Sequence, residues 1–289
     1  METRAIDPHP VEVTEHWAQV AGSRMRYLRM GSGRPLVLVH GLLGYSFSWR
    51  FTMPVWSQRA TVYAPDMLGA GYSDQPADGD YSLRGHARRL LQFLDAVGVS
   101  ACDLLASSHG GAVSMLAAAL APQRVRRLIL VSPVNPWSDH GKGLAPLLSG
   151  RVISALLPHM ALHLETGREM VLRRLFGDPR RIPPGTLQGY SAPFTSPAAF
   201  EQPLGILRSW NADLDLLQSM LPRIADIPTL LVWGTRDAAV DPASATRLSQ
   251  CFKHCQVVMM EGVGHIPYDE APDEFSRVVS QFLAGDGSV

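Results

Sequence analysis

The chain has 289 residues, of which 46% are hydrophobic and 18% charged, so it can bury a sizeable core and is not expected to be disordered. Its 26 acidic and 26 basic side chains balance, which argues against a nucleic-acid partner and favours a small-molecule substrate. The three cysteines lack disulfide spacing and the charged, proline-containing N-terminus is unlike a secretory signal, so we expect a cytoplasmic protein.

Short apolar runs bounded by turn residues predict strands that are buried on both faces of a sheet. In chain order these runs are PLVLVHG, ATVYAPD, CDLLAS, RLILVSP, TLLVWG and QVVMM. Helical patterns lie between them, such as SLRGHARRLLQFLDAVG, GGAVSMLAAALA and PDEFSRVVSQFL. This alternation predicts a mostly parallel central sheet that is flanked by helices.

The alternation stops in the middle of the chain, where prolines are frequent and helical pieces such as GREMVLRRLF replace the strands. We interpret this stretch as a helical lid over the sheet. The predicted division is a first core part at 1–135, a helical lid at 136–227 and a second core part at 228–289. The longest apolar stretch of the lid is interrupted by Arg151 and Pro158, so no membrane span is expected.

The stretch LLASSHGG, at 104–111, is typical of the tight strand-to-helix turn that presents a nucleophilic serine. Such a turn accepts only small residues two positions before and after the nucleophile. The corresponding neighbours of Ser107 are a leucine and a histidine, which are too bulky, whereas those of Ser108 are Ala106 and Gly110. The pattern therefore favours Ser108, and the alternative is an ordinary turn with capping serines.

A serine hydroxyl is a weak nucleophile unless a base activates it. His265 is the best candidate, because it follows the QVVMM run and is preceded by Gly262 and Gly264, which leave its loop free to bend towards the sheet edge. The acid that would orient it is Asp237, three residues after the end of the TLLVWG run. Asp241 competes for this role, but it precedes Pro242 and is typical of a helix N-cap.

Backbone N–H groups are the expected stabilisers of an oxyanion. One is the N–H of His109, which lies at the start of a predicted helix. The other is the N–H of Leu42, in the loop that Gly41 allows to turn after the first core strand. We expect the side chain of His40 to hold that loop by hydrogen bonds.

The order serine, aspartate and histidine, each after a predicted strand, resembles the α/β-hydrolase family in its lid-bearing esterase- and lipase-like branch. The matching motifs are HGLLG at 40–44, DMLGAGYSD at 66–74, ASSHGG at 106–111, GTRD at 234–237 and GVGHIPYDEAP at 262–272. The resemblance implies an α/β-hydrolase fold without a cofactor. The roles it implies are Ser108 as nucleophile, His265 as base, Asp237 as acid, and the N–H groups of Leu42 and His109 as oxyanion hole.

We therefore expect a serine hydrolase that acts on an ester or similar acyl bond. Carbon–carbon bond hydrolases of the meta-cleavage type and cofactor-free haloperoxidases use the same triad and remain alternatives, as does a ligand receptor with little turnover. Epoxide hydrolases and haloalkane dehalogenases use an aspartate nucleophile, which Ser108 argues against. His159 and His163 lack the glutamate of a zinc motif, so no metal is expected. Apolar lid residues are expected in part to face a substrate cavity: Leu156, Leu157, Met160, Leu164, Phe194, Phe200 and Trp210.

Overall fold

The computed structural model of the chain describes residues 12–76, 79–138 and 162–285, together with positions 150, 153, 156, 158 and 159. The described residues contain one sheet of eight strands. In chain order they are β1 (Thr14–Val20), β2 (Ser23–Met30), β3 (Arg34–Val39), β4 (Ala60–Pro65), β5 (Cys102–Ser107), β6 (Val125–Val131), β7 (Thr229–Gly234) and β8 (Cys255–Met260).

The strands lie side by side in the order β1-β2-β4-β3-β5-β6-β7-β8. The pairs β1–β2 and β2–β4 are antiparallel, and every other neighbouring pair is parallel. The six apolar runs correspond to β3 through β8, so the mostly parallel sheet expected from the sequence is confirmed.

The antiparallel hairpin of β1 and β2 was not predicted from the sequence. Its two-residue turn places Ala21 at φ 51° and Gly22 at φ 78°, the left-handed backbone that matches the twist of a tight hairpin. Both strands lie at one end of the sheet and contain exposed and half-buried residues, so neither is a continuous apolar run.

Helices cover both faces of the sheet. They are α1 (Met53–Ser57), α2 (Leu83–Ala96), α3 (His109–Leu120), α4 (Glu165–Leu175), α5 (Thr186–Ser191), α6 (Glu201–Met220), α7 (Ser244–Ser249), α8 (Pro267–Glu270) and α9 (Pro272–Ala284). Because side chains alternate along a strand, Leu104 of β5 enters the core beneath α2 and α3, and Leu105 enters the core beneath α1 and α9. Both leucines are fully buried, as expected for a strand that is covered on its two faces.

Between β6 and β7, the described residues form the helices α4, α5 and α6 and no strand. We call residues 162–227 the helical segment. The predicted boundaries at 136 and 227 stay a prediction, and the predicted helical piece RVISALLPHMALHL falls largely outside the described residues. In the described part of the chain, no helix has both the length and the apolar composition that crossing a membrane requires.

Candidate active site

The sheet has a switch point between β3 and β5. From β3 the chain continues to β4 on one side, while β5 pairs with β3 on the other, so the loops after β3 and β5 leave in opposite directions and frame a crevice. Gly41 and Ser108 meet there: a methyl group built on Gly41 would lie 2.9 Å from Cβ of Ser108 and 3.6 Å from its Oγ. Position 41, the second residue after β3, must therefore be glycine for the two loops to approach.

Ser108 has a backbone conformation that side chains rarely adopt, with φ 53° and ψ −123°. Three backbone hydrogen bonds hold it there. Its N–H donates to the carbonyl of Val131 at 2.9 Å, and its carbonyl accepts from the N–H groups of Gly111 at 2.9 Å and Val134 at 3.0 Å. The turn lifts Ser108 to a partly exposed position, whereas Ser107 is fully buried.

Gly110, one of the small residues expected near Ser108, has no room for a side chain. The sequence argument brings Ala106 and Gly110 together. In the structure, the nearest atoms to a methyl group on Gly110 are the carbonyl groups of Val39 and His40, the former at 2.6 Å. The end of β3 therefore excludes a side chain at Gly110, which allows α3 to begin directly beside the loop after β3.

Ser107 is buried and makes a contact within the core. Its hydroxyl donates to the phenol oxygen of Tyr268 at 3.2 Å, and both residues are buried. This contact links the end of β5 to α8, the short helix that follows His265. Ser107 thus points away from the partly exposed position that Ser108 occupies.

His265 and Asp237 meet at the same edge of the sheet, in the loops after β8 and β7. Nδ1 of His265 and Oδ2 of Asp237 are 2.8 Å apart, and each residue is 5% exposed. Oδ1 of Asp237 accepts from the N–H groups of Ala239 at 2.8 Å and Val240 at 3.0 Å. A neutral imidazole that donates from Nδ1 keeps Nε2 unprotonated, as a general base requires.

The surroundings of Asp237 favour the ionised form of its carboxylate. Burial acts to raise its pKa, but the charge and hydrogen bond of His265 and the N–H groups of Val240 and Ala239 outweigh burial, and the pKa is lowered. The carboxylate is therefore ionised at neutral pH.

Asp241, the competing carboxylate, has a different environment. Its Oδ1 accepts from the N–H of Ala243 at 2.9 Å, and its carbonyl accepts from the N–H of Ser244, the first residue of α7, at 3.0 Å. It shapes the turn into that helix, close to the capping role expected. The structure brings Asp237, and not Asp241, to His265.

The two expected oxyanion donors lie on either side of the crevice. His109 is the first residue of α3, where backbone N–H groups have no partner within the helix. Across the residues that the structure describes, neither the N–H of His109 nor that of Leu42 donates to a protein acceptor. Both groups are therefore available to an anion, and the dipole of α3 favours a negative charge at its start.

The loop that carries Leu42 is fixed from below by His40, as expected. Nδ1 of His40 donates to the carbonyl of Gly41 at 2.9 Å, and Nε2 accepts from the N–H of Met67 at 3.0 Å. Burial lowers the pKa of His40, so the ring is neutral and can both donate and accept.

The side chain of His109, whose role the sequence left open, turns towards the helical segment. Its ring stacks on Trp210 of α6 at 6.4 Å between centroids, and it meets the ring of His86 edge-on at 5.6 Å. Burial, followed by the charge of His40, lowers its pKa to about 3. A histidine that remains neutral to such low pH is a poor proton acceptor, so this ring is a packing partner for Trp210.

A second, narrow crevice, with a free volume of about 20 Å³, separates the loops after β3 and β4 from the helical segment. Its lining is formed by Leu43, Gly44, Gly69, Ala70, Gly71, Pro193, Phe194, Ala199 and Gln202. Room for about one water molecule is available in this state. The crevice lies one residue from Leu42, beside one of the two oxyanion donors.

The apolar residues expected to face a cavity have mixed environments. Phe194 lines the crevice and packs on the buried Phe200, with centroids 4.9 Å apart. Leu156 and Leu164 are instead 56% and 51% exposed. Trp210 contacts His109 as described above, and the two remaining residues, Leu157 and Met160, lie outside the described residues.

Comparison with known proteins settles the family. A family model described as alpha/beta hydrolase fold matches residues 34–272. The chain belongs to the α/β-hydrolase family. It is a hydrolase of this superfamily, and the resemblance noted from the five sequence motifs is confirmed.

Its relatives carry out different reactions. The chain is 29% identical to haloalkane dehalogenase 2 of Mycobacterium tuberculosis, with 94% of this chain and 96% of the relative covered. It is 28% identical to 2-hydroxymuconate semialdehyde hydrolase of Pseudomonas putida, covering 91% of this chain and 92% of the relative. The structure of a bacterial membrane phospholipase A is similar at a TM-score of 0.73 and 26% identity, covering 94% and 86% of the two chains. Family membership therefore does not identify the bond that is cleaved, and the residues of the site have to be considered instead.

Glu270 was missed by the sequence analysis. It lies five residues after His265, and its carboxylate accepts backbone N–H groups from both the helical segment and the loop before His265. The signal available in the sequence was the acidic pair of HIPYDE, which follows the histidine at short range.

Proposed function

We propose that the chain is a serine hydrolase that cleaves a carboxylic ester, or a similar acyl bond, of a small and mainly apolar substrate. The observation that carries this proposal is the 2.8 Å contact between His265 and Asp237 at the sheet edge where Ser108 has its strained backbone. A serine at that turn, a buried histidine and a buried carboxylate are the three groups that acyl transfer requires.

In the proposed reaction, Oγ of Ser108 attacks the carbonyl carbon while Nε2 of His265 takes the hydroxyl proton. Asp237 orients the imidazole and stabilises its positive form. The carbonyl oxygen becomes an oxyanion that accepts from the N–H groups of Leu42 and His109. As the intermediate collapses, the alcohol leaves with the proton from His265, and an acyl-enzyme remains. Water then attacks this ester, again through His265, and releases the acid and Ser108.

Dehalogenation, the activity named for one relative, fits Ser108 poorly. Displacement of a halide by a serine oxygen would form an ether. An ether has no carbonyl carbon for water to attack, so the enzyme would not turn over. Ser108 therefore favours substrates whose covalent intermediate is an ester.

A second candidate is cleavage of a carbon–carbon bond next to a carbonyl group. The similarity to 2-hydroxymuconate semialdehyde hydrolase, over 91% of this chain, favours it. The same triad serves that reaction, because the substrate also presents a carbonyl carbon near a serine. The two candidates differ in the leaving group, which is an alcohol for an ester and a carbon atom for the alternative.

A substrate panel separates these activities. Purified protein is assayed with p-nitrophenyl acetate, butyrate and hexanoate, with a 2-hydroxy-6-oxo-dienoate and with 1-bromobutane. We expect many turnovers on esters, and a kcat/KM that exceeds that on the dienoate by at least tenfold. Faster turnover of the dienoate would support the carbon–carbon alternative. One slow turnover per chain on every compound would contradict both and would fit a receptor.

A further inference from the structure

The helix α8, which begins two residues after His265, ends in two adjacent buried carboxylates. The side chains of Asp269 and Glu270 are both completely shielded from solvent. A buried carboxylate destabilises the folded chain unless hydrogen bonds replace its hydration. The hydrogen-bond partners of each carboxylate therefore indicate its role.

The carboxylate of Glu270 is satisfied by backbone N–H groups from a nearby loop and from a segment more than 90 residues away in the chain. Oε2 accepts from Gly177 at 2.8 Å and from Gly264 at 2.8 Å, and Oε1 accepts from Asp178 at 2.9 Å. Gly177 and Asp178 belong to the helical segment, and Gly264 directly precedes His265. Among the described residues, the cation that pairs with it is the half-exposed guanidinium of Arg181 at 3.8 Å, so the bonds to the backbone dominate.

Around Glu270, the backbones of the two segments are in direct contact. The N–H of His265 itself donates to the carbonyl of Leu175 at 2.7 Å. A methyl group on Gly177 would lie 2.5 Å from the carbonyl oxygen of Gly262, and one on Gly264 would collide with Leu175 and Gly177. No side chain fits between the segments, so the N–H groups that meet there depend on Glu270 for an acceptor.

Asp269 has a separate role. Its carboxylate accepts from Arg50 at 2.7 Å and from the hydroxyl of Tyr190, in α5, at 2.7 Å. It therefore ties α8 to a different part of the helical segment. Loss of Glu270 leaves these bonds in place, and the two carboxylates can be tested independently.

We infer that Glu270 is a positioning residue for His265: its carboxylate holds the loop before the imidazole against residues 175–178. The orientation of the base consequently depends on the docking of the helical segment. The inference rests on the proposed role of His265 in the reaction. Glu270 acts through that residue and does not contact the reacting atoms.

The test is Glu270→Gln. A glutamine offers one acceptor oxygen in place of two, so its amide N–H groups would face at least one of the three backbone N–H donors. We expect kcat to fall on the order of 10- to 100-fold, because small errors in base position have large effects on rate. KM should change less than about threefold, since no substrate contact is lost. Active-site titration with a fluorophosphonate counts folded sites and removes any effect of misfolded protein.

Two further variants make the result decisive. Glu274→Gln is the matched control, because Glu274 is exposed on α9, and it should keep wild-type kcat. Gly177→Ala pushes the same segments apart without changing the carboxylate, and we expect it to lower kcat in the same way. It therefore tests the inference even if Glu270→Gln does not fold.

The outcomes separate this inference from the proposed function. Wild-type kcat per titrated site in both Glu270→Gln and Gly177→Ala, with only a lowered Tm, overturns the inference and shows a purely structural role. If Ser108→Ala, measured in parallel, keeps full activity, the proposed function fails and this inference fails with it.

Discussion

The candidate triad and the helical segment are held in the molecule in different ways. Asp237 and His265 are each 5% exposed and lie in short loops directly after buried strands. Exposed apolar side chains are common in the helical segment, with Met170 68% and Val171 53% exposed on α4. Asp237 and His265 are thus positioned mainly by the sheet and its loops. Apart from residues 175–178, which contact the loop before His265, the helical segment is free to vary in sequence.

The two regions are joined by polar bridges. The hydroxyl of Tyr45 donates to the carbonyl of Gly189 at 2.7 Å, and Arg50 donates to the hydroxyl of Thr186 at 3.1 Å. We therefore expect substitutions in the sheet loops and at residues 175–178 to change kcat, and substitutions elsewhere in the helical segment to change substrate preference.

Ser108→Ala should have the largest effect. Removal of the hydroxyl abolishes the nucleophile, and we expect kcat on a p-nitrophenyl ester to fall roughly 10⁵-fold or more. Ser107→Ala is the matched control: it loses only the hydrogen bond to Tyr268, so kcat should stay within about tenfold and stability should drop by about 1 kcal/mol. Equal losses in the two variants would mean that the choice between the serines is wrong.

Asp237→Asn should reduce kcat about 10⁴-fold, because an amide favours the wrong imidazole tautomer. Asp241→Asn should keep kcat within about twofold, since asparagine also accepts from Ala243. A greater loss of kcat in Asp241→Asn than in Asp237→Asn would reverse the assignment.

Asp237 has a lowered pKa in the folded chain, so its contribution to stability is present above the unfolded pKa of about 4 and is lost as the pH falls through the folded pKa. The stability of Asp237→Asn should therefore depend less steeply on pH below about pH 4 than that of the wild type.

His86, which packs beneath His109, gives a stability test in the core. Among the described residues its ring nitrogens have no hydrogen-bond partner, and burial, then the charges of His109, Arg89 and His40, lower its pKa well below the usual value. The unfolded chain takes up a proton at this histidine below about pH 6.5 and the folded chain does not, so the folded state loses stability as the pH falls.

His86→Phe removes this titration. Relative to wild type, the variant should be more stable at pH 5 than at pH 7.5, by at most about 2 kcal/mol, the limit that the unfolded pKa of about 6.5 sets over this interval. Urea unfolding at the two pH values measures the difference. An identical pH dependence in the variant and the wild type would show that His86 is not held neutral by burial.

The smallest expected effect concerns the acyl group and the helical segment. Each methylene that enters an apolar site contributes at most about 0.8 kcal/mol, so kcat/KM should rise up to about fourfold per carbon from acetyl to hexanoyl esters. Trp210→Ala should flatten this profile, because Trp210 packs on His109 beside Ser108. Trp17→Ala, on the outer strand β1, is the control. A preference for succinyl esters, or a profile that Trp210→Ala leaves unchanged, would show that the segment does not select the acyl group.

Much of the fold could be predicted because parallel strands that are buried on both faces are continuous apolar runs, as in TLLVWG. The hairpin of β1 and β2 was not predicted because its strands are not continuous apolar runs and the tight turn at Ala21 and Gly22 lacks the usual asparagine or aspartate. Ser108, Asp237 and His265 were accessible because each lies within a few residues of a strand end, and the topology brings those ends together.

The role of Glu270 could not be predicted in the same way. Its partner Gly177 is 93 residues distant in the chain, and the contact is made through a backbone N–H, which any residue except proline carries. Sequence patterns identify residues by their side chains, so a site that recruits backbone groups from a remote segment becomes visible only in three dimensions.

Covalent labelling is the most direct test of the central claim, that Ser108 is a nucleophile activated by His265. The protein is incubated with a fluorophosphonate, digested and mapped by mass spectrometry. The account predicts one phosphonyl group per chain on Ser108, a rate that falls strongly in His265→Gln, and no labelling of Ser108→Ala. Labelling of Ser107, or undiminished labelling of Ser108→Ala, would contradict it.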